Sequence, residues 1–257
     1  HLQSISSIRK KSTFFVIDKN KDMLKIAKER YDQVNTIKRK IYFNDKISNL
    51  PENLDLAIIA TNSKERKKVL NKLIKNKKVK NLILEKICFQ NVKDFHYFEK
   101  LFIKKKIKVY VNTPLRTYSV YKKLKKKLSG KDFQMSVCGS QWGLCSNSIH
   151  YLDVFCFLKG DNRINLLNQS FLKDLKKGKR SNMYEFSGEI KFENFKKNSL
   201  ELICLSKKNF FYKVCFKTKY EHYFVDHINE TLETKNLRNK KNKKEKIKIE
   251  KQSNLTH

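Results

Sequence analysis

The sequence predicts a two-domain α/β fold, in which a doubly wound parallel sheet is followed by an α+β domain with an open, mainly antiparallel sheet. Strands and helices alternate over residues 13–112, which is typical of a doubly wound sheet. Residues 54–60 are, apart from Asp55, aliphatic without alternation, as a strand covered on both faces requires. Residues 185–192, 200–206 and 210–218 have strand character and are linked by polar turns, which predicts the antiparallel sheet.

The length and composition of the chain indicate a globular protein with room for two domains. At 257 residues the chain is long enough for two domains with separate cores, and 39% hydrophobic residues indicate a globular protein. The apolar runs are too short to span a membrane, and the six cysteines lack the spacings of a zinc site or a disulfide framework. We therefore expect a reduced, cytoplasmic protein with no metal and no membrane association.

The formal charge of +34 invites a nucleic-acid function. However, only eight of the 59 basic residues are Arg, and bidentate recognition of phosphates and guanine edges favours Arg. Lys, Asn, Ile and Phe all have codons rich in A and T, so nucleotide bias in the gene explains the charge at least as well. We expect no specific nucleic-acid partner, and a non-catalytic domain that binds anionic polymers stays open as an alternative.

The first elements in chain order are a helix over residues 1–11, a strand over Thr13–Ile17, a helix over residues 22–31 and a strand over residues 40–43. The first strand ends at Asp18. An acidic residue that closes the second strand of a dinucleotide-binding fold hydrogen-bonds the adenosine ribose and repels a 2′-phosphate. Asp18 therefore favours NAD over NADP, and the alternative is that it is an ordinary turn residue.

Residues 54–86 form the pattern strand, helix, strand, and each strand ends at polar residues. These residues are Thr61, Asn62 and Ser63 after the first strand, and Glu85 and Lys86 after the second. Because ligands of open α/β sheets bind just outside the carboxyl ends of the strands, these are the first candidates for a site. The alternative is that they are ordinary loop and capping residues, with Ser63 as the N-cap of the helix.

A helix over residues 92–103 and a strand over residues 107–111, which ends at Asn112, complete the first domain. Pro114 interrupts the pattern that follows, and we place the domain boundary there. The sequence thus predicts a dinucleotide-binding domain over residues 1–115 and a substrate domain over residues 116–235. Residues 236–257 are predicted to be a polybasic tail, solvated or disordered, because they carry no core pattern.

The second domain carries the candidate catalytic base. If residues 147–158 form a helix, His150 shares a stripe with Asn147 and Asp153. An amide and a carboxylate in these places orient an imidazole as a general base, and the alternative is a buried structural histidine. The predicted apolar face of this helix consists of Ile149, Leu152, Phe155, Cys156 and Phe157.

Short motifs occur along the chain in an order that is known from one enzyme family. His1-Leu2-Gln3 looks like the helix that follows a Gly-rich phosphate loop. Ala60-Thr61-Asn62 resembles a strand-end motif that borders a cofactor, and Glu85-Lys86 resembles a Glu-Lys-Pro motif. The remaining matches are Asn112, Arg116 and His150. Together they resemble the family of glucose-fructose oxidoreductase, inositol dehydrogenase and MocA (Gfo/Idh/MocA), which are NAD(P)-dependent dehydrogenases, over nearly the whole chain.

This resemblance implies a Rossmann-type first domain and reversible hydride transfer between a nicotinamide and a hydroxyl-bearing carbon of a sugar, nucleotide sugar or cyclitol. Lys86 would hydrogen-bond the reacting oxygen and His150, beside Asp153, would take its proton. The residues predicted to contact the cofactor are His1, Asp18, Thr61, Asn62, Glu85 and Lys86. The residues predicted to contact the substrate are Asn112, Arg116, Trp142 and Asn147.

The sequence departs from the family pattern at Ile87, which replaces the proline of the motif, and at Ser146 and Ser148, which replace an aspartate and a glycine. No glycine precedes Gly130. We therefore expect the first strand of the sheet and its Gly-rich turn to lie upstream of His1, and the 257 residues alone to bind NAD weakly or not at all.

An alternative enzyme class and the expected partners complete the prediction. A Rossmann-type methyltransferase is an alternative, because it also uses a doubly wound sheet and an acid after its second strand, but it would leave Lys86 and His150 without a role. The partner we expect is a small sugar-like substrate, with a homo-oligomer formed through the sheet of the second domain.

Overall fold

The computed structural model describes residues 1–5, 11–34, 39–172, 174–178, 184–195, 198–207 and 209–250. The chain divides into two compact units, residues 1–112 and residues 113–250. The predicted domain boundary falls at residue 115, and the division in the structure falls at residue 112. Each unit is described by itself below.

The first unit contains two parallel sheets with helices between their strands. Its elements are α1 (Leu2–Ile5), β1 (Thr13–Ile17), α2 (Lys21–Asp32), β2 (Lys40–Asn44), β3 (Asn53–Ile59), α3 (Ser63–Asn76), β4 (Lys78–Glu85), α4 (Val92–Lys104) and β5 (Lys108–Asn112). β1 pairs with β2, and β3, β4 and β5 form the second sheet in that order. The predicted alternation is confirmed, although residues 6–10 of the predicted first helix lie outside the described residues.

The core of the first unit joins the β3–β4–β5 sheet to helices α3 and α4. Leu70 of α3, Leu82 of β4 and Phe98 of α4 are buried together, and Ile59 of β3 belongs to the same cluster. Alternation along β3 directs Leu56 to the opposite face, where it is 49% exposed. The prediction that β3 is covered on both faces is therefore wrong at Leu56, although Leu54 and Ala57 both pack against this core.

Asparagine side chains cap α2, α3 and α4 of the first unit. Asn20 Oδ1 accepts a 2.9 Å hydrogen bond from the backbone N–H of Asp22 at the start of α2. Asn62 Oδ1 accepts a 3.0 Å bond from the N–H of Glu65 at the start of α3. The predicted N-cap of α3, Ser63, is instead its first helical residue, because the amide of Asn62 already satisfies the free N–H.

The second unit is built around an eight-stranded sheet. Its elements are α5 (Ser119–Leu128), β6 (Gln134–Ser140), α6 (Leu144–Lys159), β7 (Ile164–Phe171), β8 (Lys176–Lys177), β9 (Tyr184–Glu185), β10 (Gly188–Asn194), β11 (Ser199–Leu205), β12 (Phe211–Lys217), β13 (Glu221–Asp226), β14 (Thr231–Asn236) and β15 (Asn242–Lys246). The strand order is β15-β14-β13-β12-β6-β11-β10-β7, and β8 and β9 pair separately. Only the β6–β11 pair is parallel among these described strands, so the predicted mainly antiparallel sheet is confirmed.

One face of this sheet packs against α5 and α6. Alternate side chains of the central strands are buried, as the two-residue period of a strand with one covered face requires. Leu202 of β11 and Val214 of β12 lie in one cluster with Leu124 of α5 and Phe155 of α6. This cluster holds the two helices against the sheet.

Glycines set the ends of α6. Gly143 precedes the helix and Gly160 follows it, with φ values of 78° and 69°, a backbone conformation in which a side chain would be strained. The helix therefore begins at Leu144, three residues before the predicted start at residue 147. The buried positions are Leu144, Ser148, Tyr151, Val154, Phe155 and Leu158. Of the predicted apolar face, Phe155 is buried, and Leu152 and Phe157 are partly buried and pack against the core. Ile149 and Cys156 are only partly buried and lie outside that cluster, so the prediction is wrong for these two residues. The face of α6 that packs against the sheet is the one whose residues repeat every three or four positions from Leu144.

Part of the predicted polybasic tail is a strand. β15 pairs with β14, and Lys123 of α5 forms a 2.7 Å ion pair with Glu245 of β15. The prediction of an unstructured tail is wrong over this strand because β15 is an edge strand that pairs through its backbone, and its exposed side chains carry no apolar pattern. Residues 251–257 lie outside the described residues.

Three observations concern disulfides, metal sites and membrane-spanning helices. The six cysteines, all among the described residues, are free thiols. No group of three or more His, Cys, Asp or Glu in the described part of the chain could hold a metal ion. None of the described helices has both the length and the apolarity to cross a membrane.

Candidate active site

Three polar side chains meet at the carboxyl edge of the β3–β4–β5 sheet. Glu85 ends β4 and Asn112 ends β5, and the two residues are paired in register. Asn112 Nδ2 donates a 2.6 Å hydrogen bond to Glu85 Oε1, and His1 Nε2 lies 2.7 Å from the same oxygen. The structure thus brings together three residues that the sequence predicts for the site.

The surroundings of Glu85 favour its charged form. Burial raises the pKa of the carboxyl, but the hydrogen bonds from His1 and Asn112 and the charge of Arg66 lower it. The net result is a pKa below the ordinary value. Glu85 is therefore a carboxylate at neutral pH, with its lone pairs directed to fixed donors.

Lys86 follows Glu85 directly and is half-buried at the end of β4. The peptide bond between Lys86 and Ile87 is cis. Ile87 is exposed and the next residue, Cys88, is buried in the core of the first unit. The structure places Lys86 where the sequence predicts it, just outside a strand of the parallel sheet.

The loop after β3 carries Thr61 and Asn62. Asn62 is the N-cap of α3, as described above. Thr61 Oγ1 is buried and has no hydrogen-bond partner among the described residues. A buried hydroxyl without a partner is unusual in a folded protein, so this atom is suited to bind a polar group of a ligand.

Asp18 closes β1, as predicted, and its side chain is exposed. Its Oδ1 accepts a 2.9 Å hydrogen bond from the backbone N–H of Asn20, which in turn caps α2. The geometry is that of a turn, and the carboxylate also faces solvent at the carboxyl end of a parallel strand. Both interpretations of Asp18 are therefore compatible with its position.

Arg66 of α3 is a residue of this region that the sequence analysis misses. Its side chain is 1% exposed. Nη2 donates to the carbonyl oxygen of Thr61, and Nη1 donates to the carbonyl oxygens of Ile87 and Cys88, the latter at 2.9 Å. The available signal is compositional: an Arg stands in a Lys-rich helix of a chain in which only eight of 59 basic residues are Arg.

In the second unit, Arg116 and Asp153 form a two-point ion pair. Arg116 Nε donates a 2.6 Å hydrogen bond to Asp153 Oδ2, and Nη2 donates to Oδ1. Arg116 lies in a short 3-10 turn, Pro114–Thr117, and Asp153 lies on α6 one turn after His150, which is half-buried. The structure thus brings Arg116 to the helix that carries the predicted base.

The side chains of Asn147 and Trp142 both donate to backbone carbonyl oxygens in the second unit. Asn147 Nδ2 donates a 2.6 Å hydrogen bond to the carbonyl oxygen of Trp142, so this amide supports the start of α6. Trp142 is 6% exposed, and its indole N–H donates to the carbonyl oxygen of Ile203 at 2.8 Å. The ring of Trp142 packs in the core with Tyr151 and Tyr212, and its contact with substrate stays a prediction.

No protein-family model matches the sequence, and no curated protein matches it. Several solved structures match most of the chain. UDP-N-acetylglucosamine 3-dehydrogenase GnnA from Acidithiobacillus ferrooxidans has a TM-score of 0.72 at 12% identity, over 99% of this chain and 80% of that chain. An oxidoreductase from Agrobacterium radiobacter, in complex with NAD+, L-tartaric acid and magnesium, has a TM-score of 0.68 at 12% identity, over 95% and 75%. The super-repressor mutant of Gal80p from Saccharomyces cerevisiae has a TM-score of 0.68 at 10% identity, over 98% and 75%.

The chain has the two-domain Gfo/Idh/MocA fold. The fold expected from the sequence motifs is thereby confirmed. At these identities the likeness concerns the Gfo/Idh/MocA fold alone, so any role of a residue has to be argued from the geometry of this chain.

The residues of the first unit fit a nicotinamide dinucleotide. Ligands of doubly wound sheets bind at the carboxyl ends of the strands, where Asp18, Thr61 and Glu85 lie. The exposed carboxylate of Asp18 can accept hydrogen bonds from ribose hydroxyls, and the buried Thr61 hydroxyl can pair with an amide or hydroxyl. These groups match the chemistry of the cofactor that the Gfo/Idh/MocA fold implies.

Proposed function

We propose that the protein is an NAD(P)-dependent oxidoreductase that transfers a hydride between a nicotinamide and a hydroxyl-bearing carbon of a sugar, nucleotide sugar or cyclitol. The observation that carries this proposal is the trio of His1, Glu85 and Asn112 at the carboxyl edge of the parallel sheet, with Lys86 next to it in the chain. The likeness to dehydrogenases of the Gfo/Idh/MocA fold supports it.

The cofactor in this proposal is NAD, with NADP less favoured. Asp18 accepts hydrogen bonds from the adenosine ribose, and its negative charge repels the 2′-phosphate of NADP. Thr61 and Asn62 border the cofactor after β3, Glu85 borders it at the end of β4, and His1 borders it beside Glu85. The nicotinamide supplies the hydride-accepting carbon when the cofactor is bound.

The substrate oxygen is handled by Lys86 and His150 in this proposal. In the oxidation direction the imidazole of His150 would take the hydroxyl proton, and a bound nicotinamide would supply the acceptor for the hydride. Lys86 donates a hydrogen bond to the same oxygen, which becomes a carbonyl oxygen. Asn112 and Asn147 are proposed to bind other substrate hydroxyls, and Arg116 is proposed to orient Asp153 near the base.

The assembly and the compartment are part of the proposal. Leu166, Leu167 and Phe171 of β7 are exposed apolar side chains at the edge of the large sheet, and we propose that they contribute to a homo-oligomer. We place the protein in the cytoplasm, where six free thiols stay reduced.

A ligand screen on the full-length protein tests this function. NADH and NAD+ should raise the unfolding temperature, because a ligand that binds only the folded state stabilises it, and S-adenosylmethionine should not. With NAD+ present, a panel of sugars, nucleotide sugars and cyclitols should include one that produces NADH. Stabilisation by S-adenosylmethionine would favour the methyltransferase, and polyanion binding that falls with salt and ignores nicotinamide would favour the non-catalytic alternative.

A further inference from the structure

Arg66 is the only charged residue among the fully buried residues in the described part of the chain. Burial of a guanidinium is unfavourable unless its N–H groups are paired. Here the acceptors are backbone carbonyl oxygens from two loops: Thr61 after β3, and Ile87 and Cys88 after β4. One side chain therefore ties together the two loops that carry the candidate cofactor residues.

A simple packing role does not explain an arginine at this position. Position 66 lies one turn before Leu70 on the buried stripe of α3, so an apolar side chain would fit the core pattern there. The other basic residues of this helix are all Lys. Only Arg has a planar fork of donors that can bind carbonyls from two directions, which accounts for its use here.

The charge of Arg66 acts on the same region. Burial raises the pKa of Glu85, and the hydrogen bonds from His1 and Asn112 lower it. The positive charge of Arg66 lowers the pKa of Glu85 further. The guanidinium thus contacts both loops and also favours the carboxylate at the end of β4.

We propose that Arg66 is a positioning residue for the nicotinamide site. By binding the carbonyl oxygens of Thr61, Ile87 and Cys88, it holds the loop with Thr61 and Asn62 at a fixed separation from the loop with Lys86. That Arg66 connects the two loops follows from its hydrogen bonds alone. That this connection matters for cofactor binding rests on the proposed function.

The test compares Arg66→Met with Lys68→Met in the full-length protein. Methionine removes the guanidinium and keeps an unbranched side chain, and Lys68 is an exposed residue on the same helix. Hydrogen–deuterium exchange of residues 60–63 and 86–89 reports whether the loops are held, and NADH fluorescence titration reports the site. We expect exchange in both loops of Arg66→Met to rise about tenfold or more and NADH to bind about tenfold more weakly. Lys68→Met should change neither.

The possible outcomes separate this inference from the proposed function. Unchanged exchange in Arg66→Met overturns the inference, and so does faster exchange with unchanged NADH affinity. If the unsubstituted protein binds no NADH, the proposed function fails and the cofactor part of the inference fails with it. The exchange data then still decide whether Arg66 holds the loops.

Arg66→Lys covers the case in which Arg66→Met does not fold. It keeps the positive charge, but a single ammonium lacks the fork that reaches both loops. Faster exchange in at least one loop, at an unchanged unfolding temperature, supports the inference. Exchange equal to that of the unsubstituted protein in both loops contradicts it.

Discussion

Glu85 forms hydrogen bonds with two residues from distant parts of the first unit: His1 is 84 residues away in sequence and Asn112 is 27 residues away. Each contributes a donor to one carboxylate oxygen. Because the carboxyl ends of parallel strands meet at one edge, the chain can assemble such a group from residues that are far apart in the sequence. The chemistry at this edge depends on individual side chains, which can be replaced one at a time.

Lys86→Ala should lower turnover about a hundredfold or more and leave the fold intact, because the reacting oxygen loses its donor. The measurement is steady-state turnover of the full-length protein with the substrate found in the screen. Lys80→Ala, on the exposed side of the same strand, is the matched control and should keep normal turnover. Near-normal turnover in a folded Lys86→Ala would contradict the proposed role.

His150→Ala should remove the pH dependence of alcohol oxidation. If His150 is the base, the rate of the unsubstituted protein rises with pH through the ionisation of an imidazole, for which the reference pKa is about 6.5. His96→Ala changes an exposed histidine of α4 and should leave the profile as it is. A variant that loses thermal stability but keeps the same profile would point to a structural histidine.

His227 should make the second unit less stable in acid. Burial lowers its pKa to about 4, against the opposing charge of Asp226, and its Nε2 lies 2.9 Å from the hydroxyl of Tyr121. The unfolded chain takes up the proton below about pH 6.5, whereas the folded chain resists it until about pH 4. This contribution is complete above pH 6.5, and up to about 3 kcal/mol is lost as the pH falls toward 4.

Urea unfolding of the unsubstituted protein and of His227→Phe, at neutral and acid pH, measures this contribution. The variant should be less stable at neutral pH, because the Tyr121 hydroxyl loses its partner, and should lose less stability on acidification. Equal losses in the two proteins would show that His227 does not titrate in this way.

At the scale of helices and strands, several elements with a buried stripe could be predicted from the sequence, but β13, an interior strand with Tyr223 and Val225 buried, is missing from the prediction. β1 and α4 carry their apolar residues at the spacing of their own geometry, so their ends fall within a residue or so of the predicted ones. β7 and β15 expose nearly all their side chains and are held by backbone pairing, which leaves no pattern to find. The burial of Trp142 and of Arg66 depends on tertiary packing, so neither position could be predicted locally.

Asn62→Ala should destabilise the first unit by about 1 kcal/mol, because the first turn of α3 loses its side-chain acceptor. Ser63→Ala is the control for the capping residue that the sequence predicts, and it should change the free energy of unfolding by less than about 0.5 kcal/mol. Chemical denaturation of the two variants distinguishes them. A larger loss in Ser63→Ala would show that the cap is placed wrongly.

At the scale of the whole molecule, positive charge dominates the surface, and apolar side chains stand out against it on β7. Leu166 and Leu167 are each 51% exposed. Like charges on two copies repel, so association needs an apolar patch and becomes stronger as salt screens the repulsion. The oligomer proposed here therefore has a salt dependence opposite to that of polyanion binding.

Leu167→Lys should shift the full-length protein toward the monomer in sedimentation, with the larger shift at low salt. Ile103→Lys is the control, because Ile103 of α4 in the first unit is also exposed. Sedimentation of the unsubstituted protein as a monomer at every concentration would end the proposal of an oligomer through this sheet.

In the second unit, β6 has neighbours that are synthesised much later. It ends at Ser140, whereas its parallel partner β11 begins at Ser199 and its antiparallel partner β12 begins at Phe211. A ribosome therefore releases β6 and α6 before either adjacent strand exists, and pairings so distant in sequence form slowly. The apolar face of β6 therefore stays without its partner strands while residues 141–198 are synthesised, so this face is exposed on the growing chain.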